Sequence, residues 1–221
     1  MDKKKAELGF IHRFIPPNKE KSEATRKNPK TTLLLLHGTG GTEEDLIPLG
    51  NEIAPEAAIL SPQGKVLENG MPRFFRRLAE GVFDLEDLKF RTNELADFVN
   101  NASKVYGFDL QYVTAVGYSN GANIASSMLL LRPQVLSNAI LFRAMVSLVP
   151  EVLPDLANKH IFMSSGQHDP IVAKQDTESL FSLFKKVGAT VSLYWQNSGH
   201  ELRMEEFTEA KEWLSSSYSA P

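Results

Sequence analysis

The chain contains no cysteine. That excludes disulfides, thiolate metal sites and a cysteine nucleophile, and it fits a reducing compartment. An excess of basic residues is also lacking: 24 Lys and Arg stand against 27 Asp and Glu, for a formal net charge of −3. Nucleic acid demands a basic face, and none is evident. Long apolar runs are missing too. None is longer than Leu33 to Leu36, which is far too short to span a bilayer. Three lysines near the N-terminus are followed by no apolar stretch of the kind a signal peptide needs, so no signal peptide is read there.

What is present is a chain of 221 residues, 42% of them hydrophobic. That is long enough to bury a sizeable core without a staple, and one domain over residues 1–221 is the default. Residues 1–7 and 216–221 are expected to be flexible ends. Strands are expected over Leu8 to Ile15, Thr31 to Leu36, Ala57 to Leu60, Tyr112 to Val116, within Ala139 to Val149, over His160 to Ser164 and over Thr190 to Trp195. Helical spacing is read in Asp84 to Val105, Ala122 to Leu131, Asp176 to Val187 and Met204 to Leu214. Pro16 to Lys30 is charged and aperiodic and is read as a loop. Gly64 to Phe83 is read as a long loop without regular structure. Strands alternating with helices imply a mostly parallel sheet covered on both faces, with no large lid domain.

One motif carries the chemistry. Gly117-Tyr118-Ser119-Asn120-Gly121 reads G-x-S-x-G between a β-rich run and a run of helix formers. A strand–turn–helix of this kind is a nucleophile elbow, in which a sharp turn lifts a Ser hydroxyl above the sheet. A Ser hydroxyl is a weak nucleophile until a base and an orienting acid stand beside it. Both are available downstream on loops that follow strands: Asp169 in Gly166-Gln167-His168-Asp169-Pro170, and His200 in Ser198-Gly199-His200. Loops at the carboxyl ends of parallel strands converge on one side of the sheet. The oxyanion hole would take the backbone N–H of Asn120 and that of Thr39, in the glycine-rich loop His37-Gly38-Thr39-Gly40-Gly41.

Rival readings stand beside these. Ser119 could be an ordinary small residue in a tight turn. Asp155 and Asp176 compete with Asp169, although Asp155 precedes its strand and Asp176 suits a helix start. His160 and His168 compete with His200; the first opens a strand and the second abuts the acid. His37 reads as a brace for the glycine loop. Met71, Phe74 and Phe75 either line an acyl pocket or pack the long loop onto the body. The histidines show no zinc-binding spacing, so no metal is expected.

Taken together, these motifs resemble the phospholipase/carboxylesterase family of α/β-hydrolases over roughly Leu33 to Leu214. The stretch Asn69-Gly70-Met71-Pro72-Arg73-Phe74-Phe75-Arg76-Arg77, with Asn120 after the nucleophile, is similar to the small bacterial carboxylesterases of that family. The resemblance implies an α/β-hydrolase fold and a cytoplasmic serine esterase with Ser119, Asp169 and His200 as its triad, acting on a small-molecule ester without a cofactor. An acyl thioesterase, lysophospholipase or acyltransferase would use the same triad. A non-catalytic receptor would need a broken triad or a blocked oxyanion loop. Two departures from relatives that take long acyl chains or acyl-proteins favour a small ester. Val82-Phe83-Asp84 stands where they carry Trp-Phe-Asp or Trp-Tyr-Asp, and Phe142-Arg143-Ala144-Met145-Val146 where they carry a Ser-Gly pair. Whether the protein forms a homodimer is left open.

Overall fold

A computed structural model describes residues 8–18 and 31–217. Most of the loop expected over Pro16 to Lys30, the end at 1–7 and the last four residues of the end expected at 216–221 lie outside the described residues. A seven-stranded sheet forms the centre. It is built from β1 (His12–Ile15), β2 (Thr32–Leu36), β3 (Ala58–Pro62), β8 (Val113–Tyr118), β9 (Asn138–Phe142), β10 (His160–Gly166) and β11 (Thr190–Gln196). Their order across the sheet is β1-β3-β2-β8-β9-β10-β11. Only β1 runs antiparallel to its neighbour. β1 is shorter than expected. Gly9 sits at φ 75°, a turn conformation that ends the extended chain before it can pair.

The apolar run of β2 divides between two cores. Leu34 and Leu36 face one side, where α2 (Leu85–Tyr106), α3 (Asn120–Leu131) and α4 (Lys174–Lys186) pack. Leu33 and Leu35 face the other, against α1 (Ile47–Ile53) and α5 (Met204–Ser217). Successive residues of a strand point to opposite faces, so a continuous apolar run is what a doubly covered strand requires. α2 begins where Asp84 accepts a hydrogen bond from the Asp87 amide, and it stops at Gly107 in the left-handed conformation. α5 runs on through Ser217, so residues 216 and 217 are helical, contrary to the flexible end expected there.

The segment from Gly64 to Phe83 is not the irregular loop expected from sequence. It folds as two hairpins, β4 (Val66–Glu68) with β5 (Met71–Arg73), and β6 (Arg77–Ala79) with β7 (Val82–Phe83). Asn69 and Gly70 both take positive φ, 53° and 80°, the geometry of the tight primed turn that joins twisted strands.

Candidate active site

β8 lies at the middle of the sheet and delivers Ser119 into the turn before α3. Ser119 holds φ 52° and ψ −113°, an unfavourable backbone for a residue with a side chain. Neighbouring backbone holds the turn in place: the Ser119 amide donates to Phe142 O at 2.9 Å and its carbonyl accepts from the Asn123 amide at 3.0 Å. The turn is so tight that a Cβ at position 117 would stand 2.6 Å from Gly121 O, and one at 121 would run into the Leu36 carbonyl. Only glycine fits at either place.

The loops after β10 and β11 reach the same spot. His200 Nε2 lies 2.9 Å from Ser119 Oγ, and His200 Nδ1 lies 2.8 Å from Asp169 Oδ2. A carboxylate can only accept, so Nδ1 carries the proton and Nε2 is free to accept from the Ser hydroxyl. The Asp169 side chain is fully buried. Its other oxygen accepts from the Ile171 and Val172 amides at 2.8 and 3.0 Å, which leaves one oxygen committed to the imidazole. The rivals lie elsewhere. Asp155 accepts from the Ala157 amide at the surface, and Asp176 sits in the first turn of α4. His168 is exposed beside Asn197, and His160 opens β10.

Thr39, on the glycine loop after β2, and Asn120, each with its backbone amide, line the same cavity. Neither amide is engaged by another group among the described residues. The first hairpin braces this region. Gly40 N donates to Pro72 O at 2.9 Å, Arg73 Nη1 donates to Thr39 Oγ1 at 2.9 Å, and the Phe74 amide donates to Asn120 Oδ1 at 2.7 Å. His37 joins the loop to the chain entering the hairpin. Its Nδ1 is 2.6 Å from Gly38 O, and its Nε2 is 2.9 Å from the Gly64 amide. Both contacts are satisfied only by a neutral ring protonated at Nδ1. Burial holds the His37 pKa below its ordinary 6.5.

A cavity of about 300 Å³ opens over Ser119 and His200. Phe83, Met145, Ile171 and Val172 supply its apolar wall, while Arg73 and Arg77 supply cations. Met71, Phe74 and Phe75 do not line it, which corrects the pocket reading of those residues. Phe74 and Phe75 belong to the core beneath, 2% and 0% exposed. Phe74 packs on the His37 ring, and Phe75 packs edge-on against Phe83, one layer behind the wall. Met71 sits on an outer hairpin strand, 41% exposed. Among the described residues no group of three His, Cys, Asp or Glu side chains is placed to hold a metal ion, and no helix is long and apolar enough to cross a membrane.

Arg143 is the residue that sequence reasoning missed. It is fully buried at the end of β9 with φ 58°. Its guanidinium spans to the loop that carries His200. Nε donates to Gly199 O at 3.1 Å, while Nη2 donates to Ser198 Oγ at 3.2 Å and to Glu201 O. The same group pairs with the buried Glu206 of α5. From β8, the Tyr118 hydroxyl adds a bond to His200 O at 3.0 Å, and burial pushes its pKa up. Arg143 was visible in the sequence only as a departure from relatives, with nothing in its neighbourhood to name a partner.

No protein-family model matches the chain. A Bacillus subtilis (strain 168) protein named as a hydrolase, MhqD, is 50% identical over 181 residues, 82% of this chain and 90% of that one. A carboxylesterase of Bacillus cereus, known by crystal structure, superposes with a TM-score of 0.90 at 45% identity, covering 96% of this chain and 97% of its own. A carboxylesterase of Mesorhizobium loti superposes with a TM-score of 0.82 at 30% identity, covering 93% and 94%. Sequence and fold agree along nearly the whole length, and the chain belongs to the phospholipase/carboxylesterase family of α/β-hydrolases.

Proposed function

We propose that this protein is a serine carboxylesterase that hydrolyses small carboxylic esters through an acyl-enzyme. The observation that carries the reading is the unbroken chain from Ser119 Oγ through the imidazole of His200 to the buried Asp169 carboxylate, with both links under 3 Å. Ser119 attacks the ester carbonyl as His200 Nε2 takes the hydroxyl proton. The amides of Thr39 and Asn120 receive the charge that develops on the carbonyl oxygen; one such donor lowers the barrier by about 2.7–4 kcal/mol in comparable sites. His200 returns the proton to the departing alcohol, then activates the water that releases the acid. Asp169 holds the tautomer and stabilises the imidazolium. The family's named carboxylesterases support the ester as substrate. We further propose that the enzyme works as one domain in the cytoplasm, in keeping with a single central sheet and with the absence of any helix suited to spanning a membrane among the described residues.

The test is a series of p-nitrophenyl esters of graded acyl length, paired with a serine-directed phosphonate. Hydrolysis by the wild type, loss of it in Ser119→Ala, and phosphonate labelling at Ser119 alone are the expected results. An active Ser119→Ala variant, or labelling elsewhere, ends the reading.

A further inference from the structure

We propose that the ester taken by this cavity carries a carboxylate besides its reacting carbonyl, and that Arg73 and Arg77 receive it. The inference rests on the esterase reading and narrows its substrate class to small esters with an apolar body and one anionic end.

The hairpins place both arginines on the cavity that holds Ser119 and His200. They share a single counter-ion. Arg77 Nε approaches both Glu68 oxygens, at 2.9 and 3.1 Å, and its Nη2 lies 2.7 Å from Oε1. Arg73 Nε lies 3.2 Å from Glu68 Oε2. The hydrogen bond from Arg77 holds the Glu68 pKa below its usual range, so this carboxylate stays ionised. One negative charge thus faces two positive ones, and the cluster keeps one uncompensated positive charge. The remaining bonds of Arg73, from Nη1 to Thr39 Oγ1 and from Nε to Phe75 O, go to neutral oxygens. Glu80 also borders the cavity, but it is exposed and forms no ion pair with either arginine among the described residues.

The placement is costly without a ligand. The Arg73 side chain is 4% exposed, and burial pulls its pKa down. A guanidinium taken out of water is stabilised only when its charge is matched, and a carboxylate fits its fork. The apolar lining, Phe83, Met145, Ile171 and Val172, offers such a ligand no charged partner. The chain as a whole is negatively charged, so this positive spot beside the nucleophile is local.

Two matched ester pairs test the proposal by kcat/KM at low ionic strength. Monoethyl glutarate against ethyl butyrate places the carboxylate on the acid half; 3-acetoxybenzoate against phenyl acetate places it on the alcohol half. In at least one pair the charged ester should be preferred about tenfold, as a charge-assisted contact predicts, and salt should erode the preference. Arg77→Gln should bring that ratio toward unity, with Arg77→Lys in between because it keeps the charge but not the fork. Glu68→Gln should raise the ratio, since it frees both arginines; a purely structural staple between hairpins would not respond in that direction. Arg13→Gln removes the same charge at an exposed position outside the cavity lining and should leave the ratio alone. Ratios at or below one in both wild-type pairs overturn the proposal while the esterase reading stands. So does a ratio that falls in Glu68→Gln and ignores Arg77→Gln. Failure to hydrolyse any ester overturns the esterase reading and takes this proposal with it.

Discussion

Arg143 and Glu206 form a two-point ion pair with no solvent exposure on either side chain, Nη1 to Oε1 at 2.6 Å and Nη2 to Oε2 at 2.8 Å. Ser164 Oγ and the Arg203 amide complete the carboxylate's acceptor sites. The pair matters because other donors of Arg143 grip residues 198, 199 and 201, on either side of His200. Removing one member strands a buried charge, which costs about 3–5 kcal/mol, whereas replacing both by apolar groups is often nearly neutral. Arg143→Met should therefore lose about that much stability in urea denaturation. The double variant Arg143→Met/Glu206→Met should regain most of it and still show a depressed kcat, because the loop has lost its anchors. Wild-type kcat in the double variant would show that the pair does not position His200.

The hydrogen-bonded line from Ser119 to Asp169 predicts non-additive losses. Ser119→Ala and His200→Ala should each lower kcat by about a million-fold, and the double variant no further, because such residues act as a unit. Asp169→Asn should cost about 10⁴-fold through the wrong tautomer. Pre-steady-state and steady-state assays on one ester check this. A lethal Asp155→Asn or Asp176→Asn, with Asp169→Asn active, would reassign the acid.

The elbow was legible because its demands are local. Gly117, Ser119 and Gly121 sit at fixed spacing between a strand pattern and a helix pattern, and backbone crowding alone dictates the glycines. The doubly covered β2 was legible for a similar reason, since four leucines in a row fit no surface strand. The hairpins of residues 66–83 were missed although Asn69-Gly70 signals a tight turn, because strands of two or three residues leave almost no periodicity to read. The cavity wall was misplaced because burial is a tertiary property. Phe74 and Phe75 are as aromatic as Phe83, yet only Phe83 reaches the cavity. Arg143 finds its partner in a helix far along the chain, and no local signal joins them.

His37 should make stability acid-sensitive. In the folded chain burial holds its pKa below 6.5, whereas the unfolded chain titrates near that ordinary value. Between the two values the unfolded state binds the proton and the folded state does not. Stability is therefore full above the unfolded pKa, falls as pH drops through 6.5, and levels off below the folded value. One such group contributes at most about 1.4 kcal/mol per pH unit. Urea midpoints at roughly pH 5 and pH 8 should differ more in wild type than in His37→Gln, which has no proton to gain in that range. Equal differences would remove His37 as the cause.

The cavity wall should limit acyl length. The cavity is about 300 Å³, and its apolar wall includes Met145 and Val172 close to Ser119 and His200. Each acyl methylene that fits should gain about 0.8 kcal/mol, and one that meets the wall should gain nothing. Activity should then peak at roughly two to six acyl carbons and fall beyond, as that gain runs out at the wall. Met145→Ala and Val172→Ala should move the optimum toward longer chains. Phe74→Ala should not. Phe74 is 2% exposed and absent from the cavity, so its loss should appear as about 3–5 kcal/mol of destabilisation instead. A graded p-nitrophenyl ester series on the three variants, with urea denaturation alongside, separates the two classes. A longer optimum in Phe74→Ala and none in Met145→Ala or Val172→Ala would return the wall to the hairpin aromatics.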